Sequence, residues 1–153
     1  IVRWPGVVAP DSLCGEAFVV DARGIRPHVS TRDLEAVVPS GVRRVLLQTD
    51  NSLADENVFH EDFVALTNDA ADWLVSRGVL AIGVDGPSIE PFSSADYHVH
   101  YTVLGAGIAV IEGLRLNGVE PGRYEMVCAP LPLTDADGAP ARVLIRKAKS
   151  AEL

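Results

Sequence analysis

Sulfur is scarce in this 153-residue chain: Cys14, Cys128 and Met126 are its only cysteines and methionine. Two cysteines so far apart form neither a disulfide framework nor the paired spacing of a zinc finger, and neither stands in a nucleophile motif. They read as free, mostly buried thiols in a reducing, cytoplasmic compartment. Basic residues are also few, 13 Lys and Arg against 21 Asp and Glu for a net charge of −8. No Lys/Arg cluster makes a phosphate-binding footprint, which argues against nucleic acid as a partner. The apolar runs are strand-sized, so no membrane span is expected. A phosphate-cradling loop is missing, because Gly105-Ala106-Gly107 lacks a third glycine and a preceding strand. There is no Gly-x-Ser-x-Gly elbow. No signal peptide opens the chain, which starts at Ile1, so a processed, cleaved or incomplete polypeptide is expected.

What is present suits one mixed α/β domain over residues 1–153, since 48% of the residues are apolar and can fill a core. Ala17 to Asp21 is a short β-branched run, hence a strand. Ser30 precedes Thr31-Arg32-Asp33 as a capping-box start, and the helix is expected to reach about Val38, before Pro39-Ser40-Gly41. Val42 to Thr49 reads as a second strand. Asp50 to Glu61 is polar and long enough to be a functional loop. Leu66, Ala70, Trp73 and Leu74 stand at helical spacing, with Gly78 as the residue past the helix end. Val79 to Val84 is continuously apolar, as in a strand buried on both faces. His98 to Leu104 fits a short helix ended by Gly105-Ala106-Gly107. Further strands are expected at Ile108 to Leu114, Tyr124 to Leu131 and Ala141 to Arg146.

The chemistry-bearing residues are few. Glu112 falls inside an apolar run, and strand alternation places Val110, Glu112 and Leu114 on one face. A carboxylate there is costly unless paired or coordinated. It is either a sheet-edge acid reaching water or an arginine, or part of a buried pair or metal site. His98 and His100 lie upstream. They share a face if the segment is extended and diverge if it is helical. Two histidines and a carboxylate are common materials of a zinc or manganese site, although a single histidine is more often a satisfied core or surface residue. Asp85 directly follows a buried strand, where ligands collect in α/β sheets. It either orients other groups or simply forms the turn with Gly86.

Three blocks in order resemble the cyclase family of metal-dependent hydrolases. Leu80 to Pro91 (LAIGVDGPSIEP) is similar to the family's Gly-[Ile/Val]-Asp-x-x-Ser-[Ile/Leu]-[Asp/Glu]-Pro. His100 to Leu114 (HYTVLGAGIAVIEGL) resembles His-x-x-Leu-Leu-Gly-Ala-Gly-Ile-x-Ile-Ile-Glu-Gly-Leu, and the tail GRYEMVCAPLPLTDADGAPARVLIR resembles the closing Gly-x-Tyr … Pro-Leu … Asp-Gly-x-Pro-x-Arg stretch. The resemblance implies a swivelling β/β/α fold and one or two divalent metals, zinc or manganese. It implies hydrolysis of small aromatic amides or lactams, as in kynurenine formamidase and isatin hydrolase. It assigns His100 and Glu112 to the metal centre and makes Asp85, Ser88, His98 and Gln48 candidate substrate contacts or supports of the ligands. A small-molecule substrate and a homo-oligomer, dimer or tetramer, are expected with it.

One departure stands out. The family's His-x-Gly-Thr-His-x-Asp-x-Pro-x-His motif, which carries most ligands and the catalytic histidine, has no counterpart among the residues before Glu16. The fold is therefore expected without its N-terminal portion, and this chain alone is expected to hold the metal weakly or not at all. Catalytic residues would lie in that missing segment. The alternative is a catalytically inactive relative serving as a binding or assembly module.

Overall fold

Four β-branched or continuously apolar runs form the parallel centre of one eight-stranded sheet. A computed structural model describes residues 1–3, 9–55 and 57–148. In chain order the elements are β1 (Val2–Arg3), α1 (Pro10–Leu13), β2 (Cys14–Asp21), α2 (Thr31–Glu35), β3 (Arg44–Gln48), a 3-10 turn (Asp50–Leu53), α3 (Asn68–Ser76), β4 (Ala81–Val84), α4 (His98–Gly105), β5 (Ala109–Ile111), β6 (Gly122–Pro130), β7 (Gly138–Ala139) and β8 (Ala141–Lys147). The sheet order is β7-β1-β5-β4-β3-β2-β6-β8. Strands β2 to β5 run parallel, while β1, β7, β6 and β8 add antiparallel flanks. Every residue of β3 and β4 is buried, as a parallel strand covered on both faces requires. A mixed sheet with a parallel centre and short helices is the α/β class expected from the sequence.

Two apolar layers cover the sheet. On one side Leu34 of α2, Ala70, Trp73 and Leu74 of α3, and Val99 and Val103 of α4 pack on Val45, Leu47, Ile82 and Val110. On the other, Leu46, Ile111, Leu114, Leu116 and Met126 form a second cluster. Between Leu46 and Ile111 in the sheet register sits Gly83. A Cβ there would lie 2.6 Å from Leu46 Cδ2 and 2.7 Å from Leu114 Cδ1, so a larger residue would force these leucines to move.

Local signals set the helix ends. Ser30 donates its N–H at 2.9 Å and its hydroxyl at 2.6 Å to Asp33 Oδ2, closing the start of α2. Helix α3 ends in a Schellman turn, with Gly78 at φ 64 and Val79 N–H returned to Leu74 O at 3.2 Å.

Three expectations are corrected. The α2 helix stops at Glu35, and Val37 and Val38 only continue as a turn onto Leu34 O. Strand β5 ends at Ile111, and Gly113 at φ 71 bends the chain beyond it. Leu114 thus packs in the second layer rather than beside Val110 and Glu112 on one face. Cys14 is exposed, although Cys128 is buried and both thiols are free. Cys14 pairs with Val127, which pairs with Leu144, and all three side chains are exposed. Among the described residues no helix is long and apolar enough to cross a membrane.

Candidate functional site

The four parallel strands deliver Asp21, Gln48, Val84 and Ile111 to one edge of the sheet, the edge beyond which α/β sheets bind ligands. Glu112 follows immediately after β5. Its backbone is clamped by residue 1: Glu112 N–H donates to Ile1 O at 2.8 Å, and the Ile1 nitrogen donates to Glu112 O at 2.9 Å. Its side chain is only 5% exposed, and Oε1 accepts the Ile89 N–H at 3.2 Å.

His100 stands in the first turn of α4. Tyr97, the residue before this helix, is left-handed at φ 53 and supplies no side-chain cap. The free N–H groups of the first turn must therefore find other acceptors. Asp96 Oδ1 takes the His98 N–H at 3.3 Å, and Glu90 Oε2 takes the His100 N–H at 2.8 Å. So anchored, the His100 imidazole places Nε2 3.2 Å from Glu112 Oε1 and Nδ1 3.3 Å from Glu90 Oε2. One half-buried ring thus lies between two buried carboxylates. Glu90 was not among the candidates read from the sequence. Its only signal was the acid of the Ser88-Ile89-Glu90-Pro91 motif, which reads locally as part of a turn.

The other candidates take separate places. Asp85 is buried and fully engaged within the protein. It accepts from Thr49 N–H at 2.8 Å, Thr49 Oγ1 at 2.7 Å and Ser52 Oγ at 2.5 Å, tying the end of β4 to the 3-10 turn after β3. Ser88 Oγ accepts the Glu90 N–H at 3.0 Å and so shapes the loop that carries Glu90. Gln48, with Leu46, faces the second apolar layer. It donates to Leu116 O at 2.6 Å, and its Oε1 has no hydrogen-bond partner among the described residues. His98 diverges from His100, as a helix dictates, and lies 3.7 Å from Asp72 on α3. Of the polar segment 50–61, residue 56 lies outside the described residues; Asn51 anchors the segment by accepting Val64 N–H at 2.9 Å and donating to Val64 O at 2.8 Å.

Two donors bound to one ion at about 2.0–2.2 Å and at tetrahedral or adjacent octahedral angles stand roughly 2.8–3.6 Å apart. The 3.2 Å between His100 Nε2 and Glu112 Oε1 falls in that window. Glu90 meets the opposite edge of the ring, so it does not converge with them. Among the described residues no group of three or more His, Cys, Asp and Glu side chains could hold a metal ion. The arrangement fits a divalent ion as two donors of a larger set.

Comparison with known proteins identifies the family. A family profile named Cyclase matches residues 6–91. A kynurenine formamidase of Salinibacter ruber is 34% identical over 138 residues, which is 90% of this chain and 65% of that protein. This chain therefore spans less than two thirds of that relative's length. A solved structure described as a potential metal-dependent hydrolase with cyclase activity superposes with a TM-score of 0.84 at 35% identity, covering 91% of this chain and 68% of that one. An isatin hydrolase bound to the product analogue thioisatinate shares the fold, with a TM-score of 0.74 at 18% identity over 90% of this chain and 62% of its own.

Proposed function

Because this chain belongs to the cyclase family, we propose that it forms part of a metal-dependent hydrolase of a small aromatic amide or lactam, with arylformamidase-like activity. The observation that carries the reading is the His100–Glu112 pair, 3.2 Å apart at the carboxyl edge of the parallel sheet. His100 Nε2 and Glu112 Oε1 would hold a divalent ion, zinc or manganese. Such an ion supplies a bound water acidic enough to attack a carbonyl near neutral pH. Glu112 is held for this task from two directions, by the Ile89 N–H on its carboxylate and by residue 1 on its backbone. Asp85 keeps the loop after β3 folded beside the site, and Ser88 shapes the Glu90 loop; substrate contacts from these loops and from His98 and Gln48 belong to the same proposal. Catalytic zinc generally takes three protein ligands, so the rest of the set is assigned to residues outside those described. We propose likewise a dimer or tetramer acting in the cytoplasm on a small-molecule substrate, in keeping with two unpaired thiols.

The donor count favours a second reading. Two converging donors among the described residues would also suit a relative that keeps the fold and serves as a binding or assembly module. Metal content and turnover of an N-formyl aromatic amine, measured on the product of the complete gene, separate the two. Stoichiometric zinc or manganese with metal-dependent deformylation supports the hydrolase, and a metal-free, inert protein supports the module.

A further inference from the structure

Glu90 is 4% exposed, and burying a carboxylate is costly unless its oxygens are used. Both are used. Oε1 accepts the Ser94 hydroxyl at 2.6 Å, and Oε2 accepts the His100 N–H at 2.8 Å and stands 3.3 Å from His100 Nδ1. The loop beneath is pinned by the Glu90 N–H on Ser88 Oγ. Capping α4 alone would need a single acceptor, which an exposed Ser or Asp at the helix start provides with far less desolvation. The second contact, on the ring, is one that a cap does not require.

We propose that Glu90 is a positioning residue for His100: it holds both the first turn of α4 and the imidazole, so that Nε2 is aimed at Glu112. The proposal rests on the reading of His100 and Glu112 as metal donors, but its structural half stands without a metal. An imidazole turns about two side-chain torsions. Glu112 touches it on one edge only, and Glu90 supplies the contact on the other edge together with the backbone anchor. Histidine ligands commonly have such an outer partner, which orients the ring and is worth about 10–100-fold in metal affinity.

The test compares Glu90→Ala and Glu90→Gln with the wild type in three measurements: the ring 15N signals of His100 in metal-free protein, the Kd for zinc, and the Tm. In Glu90→Ala the ring signals are expected to shift, because Nδ1 loses its carboxylate neighbour, and zinc binding to weaken about 10–100-fold. Glu90→Gln retains an oxygen for His100 and can donate to Ser94, so its ring signals and Kd should stay near the wild-type values. A pure cap predicts a lower Tm for Glu90→Ala with wild-type ring signals and zinc affinity, and that result overturns the proposal. If Glu90→Ala does not fold, Ser94→Ala frees the carboxylate instead; a shift of the ring signals supports the proposal and unchanged signals overturn it. A wild type that binds no zinc would refute the metal reading, while the ring signals would still decide the role of Glu90.

Discussion

The Nε2 atom of His100 lies 3.2 Å from Oε1 of Glu112, although one residue sits in a helix and the other just past a strand. Glu112→Gln keeps the shape and replaces the anionic oxygen with a weaker ligand. In the metal-binding protein the substitution should weaken zinc or manganese by about tenfold or more, with matching loss of turnover. Isothermal titration and metal analysis read this directly. Wild-type affinity in the variant would remove Glu112 from the ligand set.

Asp85 accepts three hydrogen bonds while buried. Asp85→Asn places an N–H₂ where one carboxylate oxygen accepts, leaving Thr49 or Ser52 donors unmatched. A loss of about 2 kcal/mol in chemical unfolding is expected, together with faster amide exchange at Thr49 and Asn51. Unchanged exchange there would show that the turn is held by other contacts.

His28 Nδ1 accepts the Ala65 N–H at 3.3 Å, and burial pushes its pKa below the usual value. The native state therefore resists the proton that the unfolded chain binds near pH 6.5. Stability from this group is present above that pH and is lost as pH falls through the lower, folded pKa. His28→Asn should flatten the decline in stability between about pH 7 and 5 relative to the wild type. Parallel pH profiles for the two proteins would contradict this.

The Ser30 hydroxyl and N–H hold the Asp33 carboxyl below its ordinary pKa. Its contribution is present above the unfolded value and is lost as pH falls through the folded one. Asp33→Ala should cost about 0.5–1 kcal/mol at neutral pH, and the gap between the two proteins should close in acid. Denaturant midpoints at pH 7 and pH 3 provide the comparison.

Burial raises the Cys128 thiol to about 11, whereas Cys14 is exposed. A thiol-directed reagent at pH 8 should modify one cysteine in the native protein and two after denaturation. Replacing both by Ala should leave turnover of the active protein largely unchanged, because neither stands in a nucleophile or metal-ligand motif.

Much of this protein was legible from local pattern. The apolar runs of β2, β3 and β4, the Ser30–Asp33 start of α2 and the Gly78 end of α3 follow from rules that act within a few residues, such as side-chain alternation and the pairing of helix-end N–H and C=O groups. Family motifs and the cost of an acid in an apolar run also singled out His100 and Glu112 as candidates, and the fold brings them to 3.2 Å. Contacts between distant segments supplied what those rules omit. Leu114 left the strand alternation because Gly113 bends the chain and Gly83, on a neighbouring strand, leaves space for it. Cys14 is exposed because it and its neighbours across two strands, Val127 and Leu144, lie opposite the Met126 and Cys128 layer on flanking strands that stay exposed. Glu90 met His100 only when a loop after β4 folded against the first turn of α4. Alternation and capping depend on neighbours along the chain, whereas burial and side-chain convergence depend on which elements the fold stacks together, and a linear pattern carries little of that information.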